Sequence, residues 1–193
     1  MPKRSGHTWR MTVGLFLAGA GVFCLMYLTA KKLYYRGVFV NDKLYATEIA
    51  KISRRHGVDP RLVRAVIFQE SRFVRDAVGR QGEVGLMQVL PKGAVADWAR
   101  ENKKPHPSHA ELIQVEQNLE IGIWYLAKAL KRWEGCKDQI PLALIQFNAG
   151  ANRAVRWKPA SSGETVMSRI GIASTRAYVK NIMERYRKYC GEK

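Results

Sequence analysis

The chain has 193 residues, enough for one domain with its own core and an additional segment. It carries 33 Lys and Arg against 16 Asp and Glu, and the formal charge of +17 favours polyanionic partners such as nucleic acid, anionic lipid or an anionic polymer. No zinc-finger spacing, basic zipper or aromatic RNA-binding signature accompanies this charge, so no nucleic-acid partner is expected.

The N-terminal part contains a membrane-anchor pattern. Residues 11–30 carry no charged side chain and, as a helix, are long enough to cross the hydrocarbon core of a bilayer. Ala18 and Ala20 have the spacing of a signal-peptidase site, but the apolar run continues well beyond them, which favours an uncleaved anchor. We therefore expect a basic N-terminus at 1–10, a transmembrane anchor at 11–30, a juxtamembrane linker at 31–40 and one domain at 41–193.

Apolar residues at helical spacing predict that this domain is mainly α-helical. A first helix is expected over about 42–56, ending at Gly57. Its inward face would consist of Leu44, Ile49 and Ile52. Further expected elements are helices at about 60–71, 93–101, 115–133 and 174–189, a helix starting at Pro141, a capping box at 108–111, and at most a small β-hairpin within 79–84.

Glu70 continues the apolar row of the second predicted helix. Asp59 and Pro60 are a typical helix start, and the inward row that follows is Leu62, Val63, Val66 and Ile67. A carboxyl group on that face loses hydration, which raises its pKa and suits it to act as a general acid near neutral pH. In the alternative interpretation the helix ends at Glu70 and its side chain reaches water.

Four short motifs follow one another along the chain: Glu70-Ser71, Gly85-Leu86-Met87-Gln88, Asn148-Ala149-Gly150 and Tyr178. In this order and at this spacing, across about residues 44–189, they resemble the soluble lytic transglycosylase (SLT) domain of glycoside hydrolase family 23. The resemblance implies a lysozyme-like α+β fold. With the predicted anchor, the chain resembles a membrane-anchored member of that family.

The resemblance also implies a reaction. Such enzymes cleave peptidoglycan between N-acetylmuramic acid and N-acetylglucosamine without water and leave 1,6-anhydro ends. A single Glu, here Glu70, serves first as general acid and then as base. No cofactor is implied. His106 and His109 are the only close pair of histidines in the sequence, and because no third ligand is near them, no metal site is expected.

The resemblance assigns the remaining site residues by motif. Tyr178 would hydrogen-bond Glu70, its alternative being an ordinary core tyrosine. Gln88 and the Met87 backbone would bind the glycan near its acetamido groups, and Ser71 would contact the substrate or cap the loop after the helix. The opposite wall of the groove would consist of Phe147, Asn148 and Ala149.

Three positions depart from the family pattern. Phe147 stands where many members have Tyr, Gly79 where some have a Ser that steadies the catalytic Glu, and Glu83 where a small residue is common. Glu83 either faces the groove as a second carboxylate or is a solvated loop residue. A second carboxylate would favour the alternative function, a goose-type-lysozyme-like hydrolytic muramidase. An alternative of another class is a non-catalytic peptidoglycan-binding envelope scaffold.

The expected location follows from the substrate. Peptidoglycan glycan strands lie outside the cytoplasmic membrane, so we expect a single-pass inner-membrane protein whose catalytic domain faces the periplasm or cell wall. Besides the glycan strands, the expected partner is the membrane itself, through the N-terminal helix, and no protein partner follows from the residues. In an exported domain Cys136 and Cys190 would form a disulfide or remain free thiols.

Overall fold

The computed structural model describes residues 22–30, 40–161 and 163–191, and the chain divides into two units after Asn41. In the first unit residues 22–30 form helix α1, with exposed apolar side chains such as Phe23. None of the helices in the described ranges is both long and apolar enough to cross a membrane. The predicted anchor at 11–30 lies mostly outside these ranges and stays a prediction.

The second unit is helical, as expected. Its elements, within the described residues, are α2 (Ala46–His56), α3 (Pro60–Glu70), a π-helical turn (Pro91–Val95), α4 (Ala96–Glu101), α5 (His109–Leu112), α6 (Val115–Arg132), α7 (Gln139–Ala149), α8 (Ala151–Trp157), α9 (Val166–Arg169) and α10 (Ala173–Cys190). Two isolated antiparallel bridges, Val78 with Val84 and Val84 with Val89, are the β-structure of these ranges. Where the sequence allowed a small hairpin within 79–84, the described residues contain these single bridges instead.

The core is built around α6, the helix that packs against α2 and α7. Leu119, Ile123 and Leu126 on its inner face are completely buried, as their spacing predicts. The C-terminal helix α10 packs against both α3 and α7. Because α3 ends at Glu70 and α7 ends at Ala149, α10 brings the predicted Glu70 and Asn148 motifs to the same region of the domain.

The structure corrects several local expectations. Leu44 is 40% exposed and precedes α2, because Tyr45 before the helix adopts a left-handed backbone (φ 61°) that interrupts the turn. Helix α7 begins at Gln139, and Pro141 lies inside its first turn, where the missing N–H has no intrahelical partner to lose. Helices α8 and α9 were not predicted.

The two cysteines of the domain are free thiols in the structure. Cys136 lies after α6 and Cys190 at the end of α10, and both are partly buried. Of the two alternatives left open by the sequence, the structure therefore contains the unbridged one.

Candidate active site

Helix α3 carries Glu70 to the interior side of the domain. Oδ1 of Asp59 accepts a hydrogen bond from the backbone N–H of Arg61 (2.8 Å), so the helix starts at the predicted cap. The apolar row predicted to face inward, Leu62, Val63, Val66 and Ile67, is buried. Glu70 is the last residue of this helix, as the alternative interpretation expected, but its side chain is partly buried and not simply in water.

Glu70 is held by a phenol and can keep a proton near neutral pH. The hydroxyl of Tyr178, buried on α10, donates to Oε1 of Glu70 at 2.5 Å. The pKa of Glu70 is raised to about 7: burial raises it most, the hydrogen bond from Tyr178 favours the carboxylate and lowers it, and the negative charge of Glu83 raises it. Such a group is able to donate a proton and take it back at neutral pH.

Glu70 lines a groove with a volume of about 470 Å³. The groove brings together five of the predicted site residues, namely Glu70, Gln88, Phe147, Asn148 and Ala149. Glu83 also lines it, so this side chain is not simply a solvated loop residue. A cavity of this size matches the volume of typical ligand sites.

The loop that carries Gln88 is fixed by one buried asparagine on α6. Asn118 accepts from the backbone N–H of Met87 (2.9 Å) and donates to the carbonyls of Val84 (2.9 Å) and Leu112 (2.8 Å). Gly85 is required beside it, because its φ is +81° and a Cβ there would lie 2.1 Å from Nδ2 of Asn118. Asn118, on the buried side of α6, thus fixes the loop that forms one wall of the groove.

Gln88 is held in a defined orientation within this loop. Its Nε2 donates to the carbonyls of Ala77 (3.0 Å) and Gly85 (2.8 Å), and its backbone has a left-handed φ of 45°. With the two amide hydrogens used in this way, the side chain presents Oε1 as an acceptor beside Gly79. An acceptor there suits the N–H of an acetamido group.

The opposite wall is formed by the end of α7. The ring of Phe147 meets the ring of Tyr125 edge-on, with centroids 5.7 Å apart, and both residues line the groove. Oδ1 of Asn148 accepts from the hydroxyl of Thr175 (3.0 Å) on α10. Among the described residues Nδ2 of Asn148 has no hydrogen-bond partner, so this exposed amide is a donor at the groove.

Ser71 and Met87 lie behind the groove wall. Ser71 is buried, and its hydroxyl donates to the carbonyl of Leu86 (2.8 Å), which ties the end of α3 to the loop. Met87 has a completely buried side chain, and its backbone N–H is used by Asn118. The substrate contacts expected for these two residues remain predictions, while their observed contacts support the wall.

Sequence reasoning did not select four residues that complete the site: Tyr125, Thr175, Arg80 and Arg153. Thr175 precedes Tyr178 by three positions and therefore lies on the same face of α10, a signal that was available. Tyr125 lies next to the inward stripe of α6, and no local pattern shows that it meets Phe147. Arg80, in a loop, and Arg153, on α8, also line the groove. Helical periodicity does not predict that these two positions lie at the same site.

Comparisons with known proteins agree with this geometry. The model of the transglycosylase SLT domain family matches residues 47–165. Membrane-bound lytic murein transglycosylase C of Actinobacillus pleuropneumoniae is 33% identical, over 51% of this chain and 27% of the relative. Membrane-bound lytic murein transglycosylase E of Buchnera aphidicola is 30% identical, over 65% of this chain and 58% of the relative. The chain therefore matches less than two thirds of either relative's length.

Solved structures share the fold. The lytic transglycosylase Slt of Pseudomonas aeruginosa superimposes with a TM-score of 0.69 at 25% identity, covering 77% of this chain and 24% of that one. The 70 kDa soluble lytic transglycosylase of Escherichia coli gives a TM-score of 0.67 at 24% identity, over 78% and 25% of the two chains. The mainly helical SLT fold is thereby confirmed, whereas the β part of the expected α+β fold is limited, in the described residues, to the two isolated bridges.

Proposed function

The chain belongs to the transglycosylase SLT domain family, and from this we propose that it is a peptidoglycan lytic transglycosylase. The observation that carries the proposal is the position of Glu70, which lines a groove, is partly buried and receives a hydrogen bond from Tyr178 at 2.5 Å. The relatives are named membrane-bound lytic murein transglycosylases. A non-catalytic scaffold has no need for a carboxyl group whose pKa is raised to about 7.

In the first step Glu70 donates its proton to the glycosidic oxygen between N-acetylmuramic acid and N-acetylglucosamine. Departure of that oxygen leaves an oxocarbenium-like centre, which the 2-acetamido group of the muramic acid assists. Oε1 of Gln88 and Nδ2 of Asn148 supply an acceptor and a donor on the two walls to orient the sugar. The hydroxyl of Tyr178 holds Glu70 in place and stabilises the carboxylate that forms.

In the second step the Glu70 carboxylate takes the proton of the muramic acid 6-hydroxyl, and the resulting oxygen attacks the anomeric carbon. This closes a 1,6-anhydro ring and returns the proton to Glu70, so that no water is consumed. The 6-hydroxyl belongs to the same sugar and therefore has a far higher effective concentration than an external nucleophile.

The test is the digest of purified peptidoglycan by the full-length chain, analysed by mass spectrometry. The proposal predicts mainly non-reducing 1,6-anhydro ends, lighter by one water than hydrolytic ends and resistant to borohydride. Glu70→Gln should lower the rate by about 10²–10⁴-fold while glycan binding persists, because the amide cannot deliver a proton. Glu116→Gln, at an exposed carboxylate of α6, is the matched control and should cleave normally.

A hydrolytic muramidase is the second candidate, and Glu83 in the groove is the observation that favours it. Hydrolysis requires a positioned water, which a second carboxylate could activate. It would give mainly reducible muramic acid ends in the same digest. That result would overturn the transglycosylase proposal and leave the fold as described.

We also propose where the protein acts. The uncharged segment 11–30 would anchor the chain in the cytoplasmic membrane, with the domain facing the periplasm or cell wall, where glycan strands are found. The support is the composition of that segment and the membrane-bound names of the relatives.

A further inference from the structure

Gly79 lies at a point where two acceptor groups of the groove meet. A Cβ built on Gly79 would lie 2.2 Å from Oε2 of Glu83 and 2.8 Å from Oε1 of Gln88. Real Cβ atoms do not approach oxygen this closely, so a side chain at position 79 and the Glu83 carboxylate exclude each other. The absence of a side chain at 79 is therefore what makes room for Glu83.

The backbone around Gly79 holds the Glu83 carboxylate in that place. The N–H of Gly79 donates to the carbonyl of Glu83 (2.8 Å), and the N–H of Gly82 donates to the carbonyl of Gly79 (3.2 Å), which closes a tight turn. Within the turn the N–H of Gln81 donates to Oε2 of Glu83 (2.9 Å). The carboxylate is thus bonded to its own turn and lies on the wall of the groove that contains Glu70.

We propose that Glu83 is a positioning residue for the reaction at Glu70, a fixed anion on the groove wall that keeps Glu70 protonated for the first step. The inference rests on the proposed function for its reaction, and on the geometry of Gly79 and Glu83 for its placement. Glu83 itself transfers no proton in this scheme.

The charges around Glu70 decide how Glu83 acts. Tyr178 donates a hydrogen bond to Glu70 from α10 and favours its carboxylate form, whereas the charge of Glu83 favours the protonated form. The other ionisable groups lining the groove are Arg80, Tyr125 and Arg153. The influences on the pKa of Glu70 are burial, the hydrogen bond from Tyr178 and the charge of Glu83, and Glu83 is the anion that acts together with burial to preserve the acid needed at the start of the cycle.

The experiment measures the titration of Glu70 in the full-length chain by ¹³C NMR of labelled glutamate, with the signal assigned from Glu70→Gln. Glu83→Gln should lower the titration midpoint of Glu70. The alkaline limb of the pH–rate profile should move to lower pH with it, with a rate loss of roughly threefold on that side and little change on the acid side. Glu83→Asp should restore much of the effect, and Glu116→Gln is the matched control.

Two further variants make the result specific to this geometry. Gly79→Ala should displace the Glu83 carboxylate and shift the titration midpoint of Glu70 in the same direction as Glu83→Gln does. The double variant should show no larger shift than Glu83→Gln alone, because both substitutions remove the same interaction. Tyr178→Phe should shift the midpoint of Glu70 the opposite way, because it removes the hydrogen bond that favours the carboxylate.

An unchanged Glu70 titration in folded Glu83→Gln and Gly79→Ala proteins would overturn the proposal. A rate loss in Glu83→Gln as large as that in Glu70→Gln would also overturn it, because Glu83 would then act on the substrate directly. The NMR titration does not depend on cleavage. A chain that releases no 1,6-anhydro ends but shows the expected shift would contradict the proposed function and leave the interaction of Glu83 with Glu70 established.

Discussion

At the scale of the residue, Glu70 combines burial with a partner that stabilises its charge. Burial opposes ionisation, and the Tyr178 hydroxyl supports it. The balance suits a group that must act as acid and then as base within one cycle. It also has a consequence for stability, since the folded chain resists the loss of this proton more than the unfolded chain does.

We therefore predict that Glu70→Gln changes how stability depends on pH. The pKa of Glu70 is about 7 in the folded chain against an ordinary value of 4.5, so the folded state binds the proton more tightly. The associated stabilisation is complete below about pH 4.5 and is lost as the pH rises through 7, a difference on the order of 3 kcal/mol. Urea unfolding from pH 4.5 to 8 should show this fall in the wild type and a flatter profile in the variant. Parallel profiles would contradict the raised pKa.

At the scale of the element, α10 is tied to α3 and to the chain before α2 by tyrosine hydroxyls. Tyr178 donates to Glu70 at the end of α3, and Tyr186 donates to Asp59 (2.9 Å), the cap at its start. Tyr189 donates to Asp42 (2.6 Å), which precedes α2. Both ends of α3 are thereby fixed to one helix, so the position of Glu70 depends on the packing of α10.

The second element that positions the site is the loop held by Asn118. We predict that Asn118→Ala lowers the free energy of unfolding by roughly 2–4 kcal/mol, because three buried backbone groups lose their partner. Cleavage should fall by about tenfold or more even where the variant is folded, since Gln88 is no longer held. Chemical denaturation and a digest at low temperature measure the two effects.

The matched control for this variant is Asn181→Ala, at an exposed position of α10. A surface replacement of this kind should change the free energy of unfolding by no more than about 0.5 kcal/mol. An Asn118→Ala protein with the stability and activity of this control would show that the loop does not depend on Asn118.

At the scale of the whole molecule, the charge suits an envelope polymer. Six of the 33 basic residues lie in residues 1–39 on both sides of the uncharged run, and that stretch has no acidic residue. The remaining excess lies in the domain, where Arg80 and Arg153 line the groove itself. Because Glu70 and Glu83 also line the groove, the excess positive charge belongs to the domain as a whole, and a basic domain attracts polymers that carry free carboxylates.

The proposed anchor gives a prediction at this scale. The full-length chain should sediment with membranes and keep its N-terminal residues, because 11–30 would span the bilayer. A chain shortened to begin at Val40 should remain in the supernatant and still cleave peptidoglycan. Fractionation with N-terminal sequencing checks both, and a mature chain beginning at Gly21 would show that the segment is a cleaved signal peptide.

Local patterns in the sequence determined much of this protein. The cap at Asp59 and the spacing from Leu62 to Ile67 are enough to place Glu70 on the inner face of a helix, and both are confirmed. These signals act between residues one or two turns apart, so they can be read without knowing what the helix packs against. The order of the motifs then indicated the family.

The tertiary structure decided the rest. It showed that Glu83 lines the groove, that Tyr125 meets Phe147, and that Thr175 holds Asn148. Each of these facts depends on how a loop or helix packs against an element far away in the chain. Helical periodicity specifies which face of a helix is buried, but only packing between helices decides which residues of two such faces come into contact.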